Sequence, residues 1–432
     1  MAGGHAGGFS LKPPAPIPAS QVKVLALVCC AWLVAGYDIA LMGFVLVPVS
    51  KTFGVTMGNE AEIVMWARIG VLLAFPLAMS ADRFGRRAVL MVTIIGSAIT
   101  TLATAFAQSE SQFVLLQASV RMFGYAQDMI SIVVIAEEIN DRARGWALGL
   151  LAASAAVGAG LSGIIFAGIE FLPYGWRALY VIGAVPIFII AYLWRKMPET
   201  RRFAELKAHT ADPGAQHSVQ GAWTRFRSLT GEHGRRFFAL LGVTAPLAFG
   251  ISSASVLMQT FLQADLGLSP GTVTLIFVGG GLFGLVGNFI AGRLSDSYGR
   301  KPVFVVASVG YALTMSVLYL GSHNLYLVAF MWAFGVFAFF AMEVVMGAWS
   351  AELFPTEQRS TASGARLATN IIFGGAALLT VTFLYGPLGG HAKAIAVLLP
   401  AIFIATIIAW LTIPETAGKT LEEIAAEGER KH

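Results

Sequence analysis

From Val22 to Ile413 the chain is a succession of twelve apolar runs, broken by short polar segments. The runs fall near 22–49, 60–80, 87–107, 112–137, 144–168, 176–195, 237–263, 271–292, 302–320, 325–350, 362–384 and 392–413. A bilayer core about 30 Å thick is crossed by about 20 residues of helix. In hydrocarbon every backbone N–H and C=O must be satisfied inside the segment, so each run is read as a transmembrane helix. A water-soluble fold fails on composition. Of the 432 residues 56% are hydrophobic and 12% charged, too little charge to cover so much apolar side chain. The first run is too long for a signal peptide and shows no cleavage pattern, so it is expected to stay as the first helix.

An even number of spans puts both termini on one side. Of the 29 Lys and Arg, only Lys51, Arg177 and Lys393 fall outside or at the outer rim, and only Arg68 and Arg121 deep within spans, Arg366 being expected near the inner end of the eleventh. The rest cluster on the side of the termini, which the positive-inside rule makes cytoplasmic. The expected organisation is a disordered tail over 1–21, a six-helix bundle over 22–195, a cytoplasmic linker over 196–236, a second six-helix bundle over 237–413 and a cytoplasmic tail over 414–432. In the linker, Trp223, Phe226 and Leu229 recur every third residue beside Arg225 and Arg227. That pattern fits a short helix on the inner membrane surface or an ordered linker helix. Cys29 and Cys30 are adjacent, a poor geometry for a disulfide and for a metal site.

Two polar motifs recur in the same order and at nearly the same separation. Asp82-Arg83-Phe84-Gly85-Arg86-Arg87 returns as Asp296-Ser297-Tyr298-Gly299-Arg300-Lys301. The Glu137/Arg144 pair returns as Glu352/Arg359. Together they mark a tandem duplication, a common plan for transporters. A Gly turn flanked by a carboxylate and cations suits a tight loop that clamps neighbouring helix ends, because helix carbonyl ends attract cations. The Glu/Arg pairs are expected partners of these loops, and the whole set a cytoplasmic gate. The bland alternative is that these charges only set topology.

These paired loops resemble those of the major facilitator superfamily over nearly the whole chain. Gly36-Tyr37-Asp38 with Gly43, both Glu/Arg pairs, Pro198-Glu199-Thr200 and the string Pro414 to Glu423 look like the sugar porter family and related metabolite:proton symporters. The resemblance implies an all-α fold of two six-helix bundles around a central cavity, working by alternating access. It also implies that Asp38 carries the proton and that an Arg in the fourth helix responds to it. Arg121 is the natural partner, one turn from the family position, where Gln117 stands. The departures are informative. The seventh helix, around Ala245 to Ser253, lacks the glutamine-rich sugar-binding pattern, and the tenth carries Glu343 in place of a Gly-Pro segment. Gly149, Gly158 and Gly163 in the fifth helix are explained by close helix approach.

Charges inside a membrane are costly unless partnered or facing water, so they are functional candidates. The first half has Asp38, Arg68, Arg121 and Asp128, and the second has Glu343. Asp38, Arg121 and Asp128 are the proton-coupling candidates. Asp38 is a proton carrier or, alternatively, half of a permanent salt bridge in a uniporter. Asp128 is open between substrate contact, a second proton site and neutralising Arg68. Two guanidiniums facing one cavity suit a carboxylate, unless both are consumed by Asp38 and Asp128. Tyr37, Tyr125, Gln127, Gln259, Asn288, Glu343, Trp349 and Asn370 complete the substrate-binding candidates beside Arg68, though each alone is more often a packing residue.

The expected function is proton-coupled uptake of a small organic solute, a carboxylate first and a sugar or polyol second. A nutrient-sensing transceptor is a further alternative that the short tails argue against. No nucleophile motif, metal cluster or phosphate loop points to an enzyme, a cofactor or a metal. The seven His fall in tails, linker or rims, and none is expected to relay protons at mid-membrane. The expected partners are the substrate, protons and lipid, with no nucleic acid, in a monomer of a bacterial inner membrane.

Overall fold

The computed structural model describes residues 16–56, 58–139, 141–194, 229–231, 233–321 and 324–417. Twelve helices are labelled in chain order. The first half has α1 (Ala19–Phe53), α2 (Glu60–Met79), α3 (Arg86–Thr104), α4 (Glu110–Glu138), α5 (Asp141–Ala167) and α6 (Trp176–Trp194). The second has α7 (Gly234–Asp265), α8 (Pro270–Tyr298), α9 (Arg300–Leu320), α10 (Leu325–Glu352), α11 (Thr356–Leu388) and α12 (His391–Thr412). No strand occurs among the described residues.

Among the described residues, ten of these helices are long and apolar enough to cross a membrane. The exceptions have simple causes. The α6 helix has an apolar stretch only over Trp176–Tyr192, and α4 carries Arg121 and Asp128 within its span. Most helices overrun the expected runs, because helical hydrogen bonding continues into their polar ends. The proposed linker helix lies outside the described residues except for Leu229, which is buried.

Local chemistry sets the helix ends. Ser109 caps α4 by accepting from the Gln112 N–H at 3.3 Å, and Asn324 caps α10 by accepting from the Tyr326 N–H at 3.0 Å. Ser269 does the same for α8, with Pro270 as its first residue. Gly85 and Gly299 begin α3 and α9 with φ of 97° and 102°, a region that side chains with a Cβ avoid. The duplicated motif therefore builds the same turn twice.

The packing repeats as well. In the first half α1 lies on α5, α2 on α4, and α3 on α4 and α6. In the second half α7 lies on α11, α8 on α10, and α9 on α10 and α12. The halves meet where α2 packs on α11 and α5 on α8. Small residues permit the closest approaches. A Cβ on Gly36 would overlap the Ala155 carbonyl, and one on Gly158 would overlap that of Leu33, so α1 and α5 touch backbone to backbone. Gly163 leaves room for the Phe44 ring, 3.0 Å from where its Cβ would stand, whereas Gly149 has open space around it and needs another explanation than close approach.

Candidate functional site

A cavity of about 480 Å³ lies between the halves, lined from α1, α2, α4, α5, α7, α8 and α11. That size suits a small organic solute. Its polar lining residues are Arg68, Arg121, Tyr125, Ser255, Gln259 and Asn370, with Phe277 and Ile371 among the apolar ones. The chain delivers Gln259 through a break. The first α-helical stretch of α7 ends at Val256 with Leu257 at φ −93° and ψ 5°, a single α-helical turn over Met258–Thr260 carries Gln259, and a π-helical turn runs from Phe261 to Asp265. Irregular turns of this kind inside helices recur at functional sites.

Arg121 is buried and Arg68 is half-buried. Arg121 points Nη2 at the Met42 sulfur, 3.0 Å away, a weak acceptor, and its Nε has no partner. Arg68 leaves Nη1 buried and unpartnered. Neither stands within 4.0 Å of a carboxylate among the described residues. The two guanidiniums lie close enough to act on each other electrostatically. A cavity with two neighbouring cations and, among the described residues, no direct acidic partner has the chemistry to accept an anion.

Asp38 sits behind this wall. It is 4% exposed, its Oδ2 accepts from Thr101 Oγ1 at 2.9 Å, and its Oδ1 has no donor. Gly183 brings α6 against the carboxylate. Arg121 is within electrostatic reach of Asp38 but forms no ion pair with it. The expected direct Asp38–Arg121 contact is therefore absent from this state. Asp128 also forms no ion pair among the described residues and does not contact Arg68 as one. Its Oδ1 is buried without a partner.

Five expected cavity residues do not line it. Tyr37 donates its hydroxyl to the Leu179 carbonyl at 2.9 Å, and Gln127 donates to the Ala31 carbonyl at 3.2 Å, so both tie helices of the first half together. Trp349 is fully buried against Phe304, ring centroids 4.9 Å apart. Glu343 pairs with Arg366 at 3.4 Å. Asn288 is part-buried on α8, away from the lining. Each is polar in an apolar span, which sequence alone cannot separate from a ligand.

At the end bearing the duplicated loops, the charges do meet. Arg86 stands 3.3 Å from Glu137, and Arg300 stands 2.9 Å from Glu352. Arg300 also holds Asp296 and Ser295. Arg83 is exposed, and the Asp82 side chain lies outside the described residues. Arg87 is the second residue of α3, and Arg144 lies in the first turn of α5. Arg359 donates from Nε to the Phe354 carbonyl at 3.1 Å. Glu415 accepts from the backbone N–H of Arg300 at 2.8 Å and of Lys301 at 3.0 Å, capping α9 with a carboxylate. Its neighbour Thr416 donates to Glu352. The corresponding Glu199 lies outside the described residues.

The opposite end holds a cluster that the sequence reading missed. His391 is 0% exposed, with Nδ1 3.1 Å from Asp265 and Nε2 3.6 Å from Glu60. Each residue stands at the end of a different apolar run, and nothing local marks them as neighbours. Two hydrogen bonds between the halves also lie toward this end. Gln263 donates to the Phe44 carbonyl at 3.0 Å, and Thr274 donates to the Gly163 carbonyl at 2.7 Å.

Known proteins agree with this architecture. A probable 4-methylmuconolactone transporter of Cupriavidus pinatubonensis is 24% identical over 94% of this chain and 93% of its own length. A gallate transporter of Pseudomonas putida is 26% identical over 80% of this chain and 81% of its own. The inward-open xylose transporter XylE from E. coli superposes with a TM-score of 0.74 at 19% identity, over 94% of this chain and 99% of that one. The sequence profile described as Major Facilitator Superfamily matches residues 27–243 and 238–431. With that match across both halves, the chain belongs to the Major Facilitator Superfamily and is a membrane transporter, not an enzyme.

Proposed function

We propose that the protein couples proton entry to uptake of a small aromatic carboxylate. In this reading all twelve helices span the membrane, with both termini and the duplicated loops in the cytoplasm. The carrying observation is the pair of guanidiniums, Arg68 and Arg121, each with a buried unpartnered nitrogen, lining one cavity without a carboxylate in contact among the described residues. An arginine fork matches a carboxylate bidentately, and burial strengthens the match. Tyr125 and Phe277 supply ring faces for an aromatic body, while Gln259, Ser255 and Asn370 supply polar contacts for ring substituents. The relatives named for gallate and methylmuconolactone transport support this class of cargo.

Asp38 supplies the coupling. With one oxygen bonded to Thr101 and the other without a donor, it is placed to hold a proton behind the cavity wall. Arg121 is the element shared by both ligands. When a substrate carboxylate engages Arg121, less of its charge is available to Asp38, and Asp38 takes a proton more readily. Release of substrate on the cytoplasmic side returns the charge to Asp38 and expels the proton. Arg86–Glu137 and Arg300–Glu352 form the cytoplasmic gate of the two halves.

The testing experiment is uptake into proteoliposomes under an imposed pH gradient. Labelled benzoate, 3,4,5-trihydroxybenzoate and xylose are compared. Accumulation of an aromatic acid against its gradient, lost in Asp38→Asn, supports the reading. Transport of xylose alone overturns it, because a neutral sugar leaves both guanidiniums without their anion.

A further inference from the structure

Helix α2 begins at Glu60 in the first half. Helix α7 ends at Asp265 and α12 begins at His391, both in the second. The three side chains converge at the end opposite the duplicated loops. His391 is 0% exposed and Glu60 2% exposed, so neither meets bulk water in this state. Both ring nitrogens face a carboxylate oxygen: Nδ1 lies 3.1 Å from Asp265 Oδ2, and Nε2 lies 3.6 Å from Glu60 Oε2. The second distance is an ion-pair contact, too long for a hydrogen bond. A neutral imidazole has one donor and one lone pair, so one carboxylate would face a lone pair. Only the imidazolium answers both.

Among the described residues the surroundings offer no other cation to do this. Helix α11 contributes Tyr385, whose ring packs on His391 with centroids 4.7 Å apart and also covers Gly58. Helix α9 contributes Tyr319, whose hydroxyl is committed to the Ala254 carbonyl. On α2, Glu62 accepts from Trp66. Lys393, on the same helix as His391, is exposed. Glu60 gains one further donor, the Gly58 N–H at 2.6 Å.

We propose that His391 is a second proton-binding site, a clasp whose imidazolium joins Glu60 of the first half to Asp265 of the second and holds this end of the cavity shut. The proposal rests on alternating access between the halves. When this end opens, Glu60 parts from His391 and the imidazole meets water, where it titrates near neutrality. Closing then requires the proton, so acid on this side favours the closed end. The site is separate from Asp38, which lies on α1 against α3 and α6.

The test reads a distance, with no substrate. Spin labels are placed at Lys51→Cys on α1 and Lys393→Cys on α12, both exposed at this end, with Cys29 and Cys30 replaced by Ser. Asp38→Asn is included to silence that group. Between pH 5.5 and 8.5 the short-distance population should fall several-fold in this parent. His391→Gln should remove the pH dependence and leave the end largely open. Glu60→Gln keeps size and shape and carries the test if His391→Gln does not fold. It should move the midpoint about one unit toward acid, a roughly tenfold weaker proton affinity. A parent profile flat with pH, a His391→Gln profile equal to the parent's, or an unmoved midpoint in Glu60→Gln would each overturn the clasp. A parallel sample with benzoate at fixed pH reads alternating access itself, so the two ideas fail separately.

Discussion

The guanidinium of Arg300 lies 2.9 Å from the carboxylate of Glu352, and the equivalent Arg86 lies 3.3 Å from Glu137. The same ion pair is built twice, each time from the first residue of a helix after a Gly turn and the end of the helix beside it. Arg300 also holds Asp296, and its helix is capped by Glu415. Removing one partner of a part-buried pair leaves the other exposed to a desolvation cost of about 1–3 kcal/mol. Glu352→Gln should therefore shift the conformational equilibrium by about tenfold or more and slow uptake. Glu137→Gln should act in the same direction. Solute exchange at equal concentrations, measured beside net uptake, checks this. Unchanged rates in both variants would make the pairs topological markers only.

The two cavity arginines predict a split between charge and shape. Arg121→Lys keeps the charge but loses the fork, so KM for an aromatic acid should rise about tenfold, one bidentate contact's worth. Arg68→Ala should raise it further, because a whole cation leaves the anion site. Initial-rate uptake over a concentration series measures both. If either variant carries benzoate with wild-type KM, that arginine does not bind the carboxylate.

Coupling is separable from binding at Asp38. Asp38→Asn should keep exchange of substrate across the membrane and lose accumulation under a pH gradient. Thr101→Val removes the single donor to Asp38 while keeping volume, and should move the pH optimum of accumulation without abolishing exchange. The pH profile of each variant checks the assignment. An Asp38→Asn protein that still accumulates solute would place the proton elsewhere.

Much of this architecture is legible from the chain, and the parts that are not share a cause. Run length and the duplicated loops foretell the helices and the pairing of Arg86 with Glu137, because both depend on local pattern and repeat. Arg68, Arg121, Tyr125, Gln259 and Asn370 line the cavity as expected from polarity within spans. Polarity alone also nominated Tyr37, Gln127 and Trp349, which are buried between helices instead. A helix wheel gives the face of a residue only when the neighbours of that helix are known, and crossing geometry is a tertiary fact. His391, Glu60 and Asp265 were hidden for the same reason. Each reads alone as a rim residue, and only the fold brings them within ion-pair distance.

Glu415 gives a pH prediction outside the membrane. Burial pushes its carboxyl up, but the N–H groups of Ala417, Arg300, Lys301 and Thr416 together outweigh this and hold it below the ordinary glutamate value. A depressed value in the docked tail means the docking is fully stabilised above the undocked value near 4.5 and is lost as pH falls through the docked value. Amide protection at Arg300 and Lys301, corrected for intrinsic exchange, should be flat from neutral to about pH 5 and fall below it. Glu415→Gln should lower that protection at neutral pH. Protection that persists at pH 3 would mean that the backbone bonds do not need the charged carboxylate.

Glycines on α5 separate close approach from mere smallness. A Cβ at Gly158 would overlap the Leu33 backbone oxygen, and backbone cannot swing aside as a flexible side chain can. Gly149, nine residues earlier on the same helix, has nothing within 4 Å of its would-be Cβ. Alanine is favoured over glycine in a helix interior by about 1 kcal/mol. Gly149→Ala should therefore be neutral or slightly stabilising. Gly158→Ala should destabilise by several times that amount, because α1 must move off α5 and carry Asp38 with it. The pair is compared by thermal unfolding in detergent and by uptake. Equal melting points would mean that α1 and α5 do not meet backbone to backbone in the membrane. A stable but uncoupled Gly158→Ala protein would show that the approach of α1 to α5 sets the position of Asp38 more than it sets the fold.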